Sequence, residues 1–172
     1  GLTVALDERR SARWPIDADS GHATRNHARP SDTEIEVCAG CHARRAQIAE
    51  GWRAGAHFLD HYRPALLEPP LYHPNGQQRD EVYIWGSFLQ SRMYQQGVTC
   101  GDCHEPHGAK LRVAGNALCA QCHLATRYNT VEHHQHAGIA GGTEWGVCHL
   151  PPPPSNRVDP RSKVLVFSDG LD

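Results

Sequence analysis

Three stretches of the chain set two cysteines three positions apart and follow them at once with a histidine. They are Cys38-Ala39-Gly40-Cys41-His42, Cys100-Gly101-Asp102-Cys103-His104 and Cys119-Ala120-Gln121-Cys122-His123. A fourth stretch, Trp145-Gly146-Val147-Cys148-His149, keeps the second cysteine and the histidine but has tryptophan where the first cysteine would stand. These stretches account for all seven cysteines. Two thiols at this spacing reach one porphyrin edge and add across its two vinyl groups, and the adjoining histidine then lies under the iron as an axial ligand. The expected cofactor is haem c. Three haems are attached by complete motifs, at Cys38 and Cys41, Cys100 and Cys103, and Cys119 and Cys122, and a fourth through the single thiol of Cys148. His42, His104, His123 and His149 are the proximal ligands.

The competing reading is zinc, since Cys100 and Cys103 with Cys119 and Cys122 have a four-cysteine zinc spacing. That reading strands Cys38, Cys41 and Cys148. It also leaves unexplained why each motif-ending cysteine is followed by histidine. Disulfides within the pairs leave the same pattern unexplained.

Composition agrees with a buried prosthetic group. Leu, Ile, Val and Phe supply 31 of 172 residues, below the roughly 20 per cent at which chains usually fail to build a packed core. Yet the formal net charge is only −2, far from the high charge of disordered chains. Porphyrins would supply the missing apolar interior. The balance and the lack of a long basic run argue against nucleic acid as a partner. No stretch approaches the length of a membrane helix. No signal peptide is visible at Gly1; since c-type haem is attached outside the cytoplasm, a removed signal and a periplasmic or extracellular location are expected.

The sixth iron position decides between closed electron-transfer sites and open catalytic ones. Nine of the 13 histidines are not proximal. His107, three residues after His104 across Pro106, is too close to reach the far side of its own haem and would serve a neighbouring one. His133, His134 and His136 form a cluster able to supply two haems, with 133 and 136 on one helical face. His57 and His61 lie four apart on an expected helix. His73, and His22 and His27 in the N-terminal arm, are as readily exposed polar residues, and Met93 as readily a packing residue.

The elements that must hold these groups are short. Residues 1–30 are expected as an extended arm, 31–150 as the multihaem core and 151–172 as an extended proline-rich tail, with Pro151 to Pro154 in polyproline II. Ser31-Asp32-Thr33-Glu34 reads as a capping box for a helix carrying Cys38 to His42. A further helix is expected over 43–60, broken near Gly51 or Gly55, and a loop over 63–79. Asp80 is expected to cap the longest helix, 81–96, ended by Gly97. Asn116 is expected to cap the helix carrying Cys119 to His123. The fold class is mostly loops and short α-helices wrapped around a stacked haem chain, with little or no β-sheet.

The segments 34–45, 81–93, 97–107 and 133–136 resemble the cytochrome c554-like group of multihaem cytochromes, over about residues 35–160. The resemblance implies bis-histidine haems in close contact, in a chain, with little regular sheet. This chain departs from the group at Trp145, where the group usually has cysteine, and near Val164, where it usually has a histidine after Asp159-Pro160-Arg161. The function so implied is electron transfer as a conduit between other cytochromes or redox proteins. A subunit of a filament is a further form of it, with His22 or His27 donating a ligand to the next subunit. The alternative is a multihaem oxidoreductase with one open haem, at the fourth site, acting on a small nitrogen or sulfur compound.

Overall fold

The computed structural model describes residues 4–6, 8–106, 108, 110–135 and 144–146. The described chain is built of short helices and loops, and its strand is confined to two two-stranded sheets. It divides into two compact units, the first of residues 1–12 and 27–110, the second of residues 13–26 and 111–172.

The first unit is organised by α1 (Thr33–His42), the only helix of ten residues among those described. Ile35, Ala39 and Ala43 recur at intervals of four, so one stripe of the helix and its end faces inward, and all three are buried. Phe58, fully buried, packs on this stripe with Tyr62 and Trp85. Its ring stacks on Tyr62 at 5.2 Å and tilts against Trp85 at 5.1 Å. Trp52 lies at 5.8 Å from Tyr62 and so close to the helix that a Cβ on Gly40 would meet its ring at 2.9 Å.

No α-helix forms over 43–60. Instead β1 (Arg45–Gln47) pairs antiparallel with β2 (Tyr62–Pro64), Ala46 opposite Arg63. A 3-10 turn, Phe58–Asp60, leads into β2. A hairpin partner beyond the segment has overridden its helical pattern, as tertiary pairing commonly does.

The expected helix 81–96 is two helices, α2 (Ile84–Gln90) and α3 (Arg92–Gln95). The break is Ser91, fully buried, whose hydroxyl donates to the Phe88 carbonyl at 2.6 Å and accepts from the Tyr94 N–H at 3.2 Å. A serine that can cap a new helix competes with continuing the old one. Asp80 does not cap α2: its carboxylate takes Arg44 at 3.2 Å. Gly97, at φ +88°, does end α3, its N–H bonded to the Tyr94 carbonyl. Then come α4 (Cys100–Cys103) and β3 (His104–Glu105), which pairs with β4 (Lys110–Leu111).

The second unit holds α5 (Asn116–Cys119), α6 (Ala125–Tyr128) and α7 (Val131–His134). Gly115, not Asn116, is the capping position of α5, and the Asn116 side chain instead accepts from the Trp145 N–H at 2.8 Å. Residues 16–23 form a tight reversal: Ile16 bridges Ala23, and Ser20 N–H bonds the Asp17 carboxylate at 2.6 Å. That bond holds the Asp17 carboxyl below its ordinary range.

Candidate haem sites

In motif one, Cys38 and Cys41 lie on the last turns of α1 and His42 is its final residue, with Ala43 extended beyond it. Positions three apart share a helix face, so both thiols point to one side; Cys41 and His42 are exposed. In motif two the single turn α4 spans Cys100 to Cys103, and the His104 N–H closes it onto the Cys100 carbonyl. Asp102 steadies the start of that turn, accepting from the Thr99 N–H at 2.8 Å. Motif three closes the same way, with His123 N–H on the Cys119 carbonyl at 3.0 Å. None of these six cysteines is in a disulfide.

Motifs one and two are joined within the first unit. Glu34, 2% exposed, accepts a hydrogen bond from the Gly101 N–H. There is no room for a side chain there, since a Cβ on Gly101 would meet the carboxylate at 2.8 Å. This replaces the capping box expected of Glu34, and the cap position, Asp32, makes no side-chain cap bond. Burial is the largest effect on Glu34 and raises its carboxyl above its ordinary value, with the charges of Glu8 and Asp102 adding to it. The Cys38 and Cys100 side chains are hydrogen-bonded to each other. That bond lowers Cys38, because a neighbouring S–H stabilises its thiolate, and the same bond with burial pushes Cys100 up. Burial also raises Cys119.

The first unit carries unsatisfied buried nitrogens as well: Trp52 Nε1, His61 Nδ1 and Trp85 Nε1 have no hydrogen-bond partner. Buried polar atoms are normally paired. Cysteine pairs outside any disulfide, each with an adjoining imidazole, and indole nitrogens beside an aromatic wall form a donor set that suits a flat iron porphyrin with polar edges. Among the described residues no group of three or more His, Cys, Asp or Glu converges as a metal-ion site.

Residues 93–127 match the family described as a doubled CXXCH motif. The match indicates covalently bound haem c. With the third complete motif at Cys38 to His42, it supports a multihaem c-type cytochrome. No curated protein and no solved structure matches the chain.

The other candidate ligands fall in different settings. His57 is exposed at the start of the 3-10 turn, with Nδ1 3.4 Å from Glu36, while His61 at its end is half-buried; they flank a turn and do not share a helix. His73 is exposed in a reversal closed by Gly76 N–H on its carbonyl. His27 points both ring nitrogens at backbone carbonyls, of Ala28 at 3.0 Å and Ser11 at 3.2 Å. Met93 is half-buried next to α3's start. His133 and His134 close α7, which ends there with Gln135 left-handed at φ +57°. His107, His136, Cys148, His149 and the proline-rich tail lie outside the described residues.

Neither motif nor spacing singles out Tyr128. Its ring stacks on His22 at 5.2 Å and meets His123 at 5.9 Å, His133 at 5.1 Å and Trp145 at 6.1 Å edge to face. Trp145 itself is 7% exposed, so the residue in place of the fourth motif's first cysteine is packed into the second unit.

Proposed function

We propose that the chain is an electron-transfer protein carrying c-type haems, a periplasmic or extracellular conduit between other cytochromes or redox proteins. The observation that carries this reading is the doubled motif matched over residues 93–127, together with a third complete motif whose helix is tied to the turn of motif two where Glu34 accepts from the Gly101 N–H. Haems attached at these two motifs would be held near one another, as passing an electron between them requires. Bis-histidine ligation, implied by the likeness to the c554-like group, agrees with such a role. The half-buried His61, whose Nδ1 is unpaired, is the distal ligand best supported in the first unit, and His133 or His134 in the second.

A bound haem iron would supply one-electron chemistry; the cysteine pairs and their following histidines would hold it. Growth into a filament is an extension of this reading, but the arm histidines offer it little. His27 is engaged with two carbonyls and His22 with His123 and Tyr128.

The test is an optical spectrum of the purified chain, oxidised and reduced, with haem quantified per chain. Sharp low-spin c-type bands with three or four haems support the reading, and a colourless protein ends it. Carbon monoxide binding to about a quarter of the haem would favour the multihaem oxidoreductase instead, with its open iron at the fourth site.

A further inference from the structure

We infer that His22 is a positioning residue for the haem bound at motif three, orienting the proximal imidazole of His123 and being held in turn by Tyr128. The inference rests on the haem reading above. His22 Nδ1 lies 2.9 Å from His123 Nδ1, the rings nearly perpendicular at 5.1 Å. His22 Nε2 lies 2.9 Å from the Tyr128 hydroxyl, and that hydroxyl donates to the Ser20 carbonyl at 2.9 Å.

Proton bookkeeping along this chain has one self-consistent solution. Iron held by His123 Nε2 leaves the ring proton on Nδ1, which donates to His22 Nδ1. His22 then carries its proton on Nε2 and donates to the Tyr128 oxygen. Tyr128 spends its own proton on Ser20. Every donor meets an acceptor, and each ring has one tautomer. A partner on the second ring nitrogen is what sets the orientation and basicity of a ligating histidine.

His22 is not the distal ligand of the same haem. Two imidazoles on opposite sides of one iron would each stand off it by a bond of about 2.0–2.1 Å and roughly a further 1 Å to the ring centre, setting the centroids about 6 Å apart; these rings lie 5.1 Å apart with Nδ1 against Nδ1, not with two nitrogens facing across a metal. His22 and His123 are also opposed across an antiparallel bridge, with Ala23 N–H on the Cys122 carbonyl at 2.7 Å and Leu124 N–H on the Gly21 carbonyl at 2.8 Å. Residues so paired have Cα atoms about 4.5–5.5 Å apart, which keeps His22 on the proximal side.

The full-length haem-loaded chain tests this with His22→Leu, His22→Asn and Tyr128→Phe, read by haem count, spin state and a redox titration resolving each haem. His22→Leu removes the acceptor and weakens the electron donation of His123. The expected result is an unchanged haem count, a low-spin spectrum and an upward shift of one haem's midpoint potential with the others fixed. His22→Asn, whose amide oxygen replaces the accepting nitrogen, restores that potential, and Tyr128→Phe shifts the same haem less. Unshifted potentials in both His22→Leu and Tyr128→Phe overturn the inference. So does a high-spin haem in His22→Leu, which would make His22 itself an axial ligand. Should His22→Leu fail to accumulate, Tyr128→Phe alone decides by the same shift or its absence. A wild-type chain without haem sinks the functional reading and this one together, whereas a haem-loaded wild type with unshifted variants sinks only this one.

Discussion

Glu34 accepts a hydrogen bond from the backbone N–H of Gly101, so a carboxylate four residues before Cys38 holds the turn that begins at Cys100. Glu34→Ala removes a buried hydrogen-bond acceptor, which costs about 1–3 kcal/mol; denaturant unfolding measures it. Glu34→Gln keeps an acceptor and removes the charge. Because the folded-state carboxyl is raised above its ordinary value, the folded state binds the extra proton. Stability is therefore full below that ordinary value and falls as pH rises through the folded one. Glu34→Gln should flatten that fall, and melting curves across pH should show the two proteins diverging upward from the carboxylate range. Parallel curves would refute it.

Gly21 sits at φ +74° with its missing Cβ position 2.7 Å from Arg127 Cδ and 3.1 Å from the Tyr128 ring. Gly21→Ala should cost about 1–2 kcal/mol from the left-handed backbone alone. It should also push Tyr128 away, so the spectroscopic change falls on the motif-three haem. A change spread evenly over all haems would contradict this placement.

Ser91→Ala removes a helix cap and a buried hydroxyl bond together. The expected loss is about 1 kcal/mol, within the 0.5–2 of cap deletions, seen as a lower denaturation midpoint with haem content unchanged. A Ser91→Ala protein as stable as wild type would mean that α2 and α3 fuse into one helix without cost.

Trp145→Cys completes a fourth Cys-x-x-Cys-His. A haem bound through Cys148 alone keeps one unreacted vinyl group, whose conjugation moves part of the reduced pyridine-haem band to longer wavelength. Trp145→Cys should return that fraction to the position of the other haems. It should also weaken folding, because emptying the space of a buried tryptophan costs about 3–5 kcal/mol for the comparable change to alanine. A band with no long-wavelength fraction in wild type would mean that no haem is held at Cys148.

The motifs were legible because covalent chemistry fixes their spacing, and the class of fold because little aliphatic sequence was present to build anything larger. Gly97 was legible as a stop because a left-handed residue after a helix favours glycine. What escaped was set by partners distant in sequence. Glu34 looked like a local cap and found Gly101; residues 45–47 looked helical and found 62–64. Ser91 was hidden inside a helical period that it breaks by bonding its own neighbours. His22 looked like a solvated arm residue because nothing near it reveals a contact with His123, 101 positions away.

That separation has a consequence for how the chain is made. A polypeptide emerges N-terminus first, at about 5–20 residues per second during synthesis. Lys110, the last residue of the first unit, therefore appears before any cysteine of motif three. The reversal at 16–23 must wait through that whole interval for Cys122 and Leu124, its backbone partners. The first unit can form its own contacts while the reversal still waits for its partners. The order of residues thus becomes an order of assembly: a chain cut short after Lys110 keeps motifs one and two and leaves the reversal at 16–23 without its backbone partners.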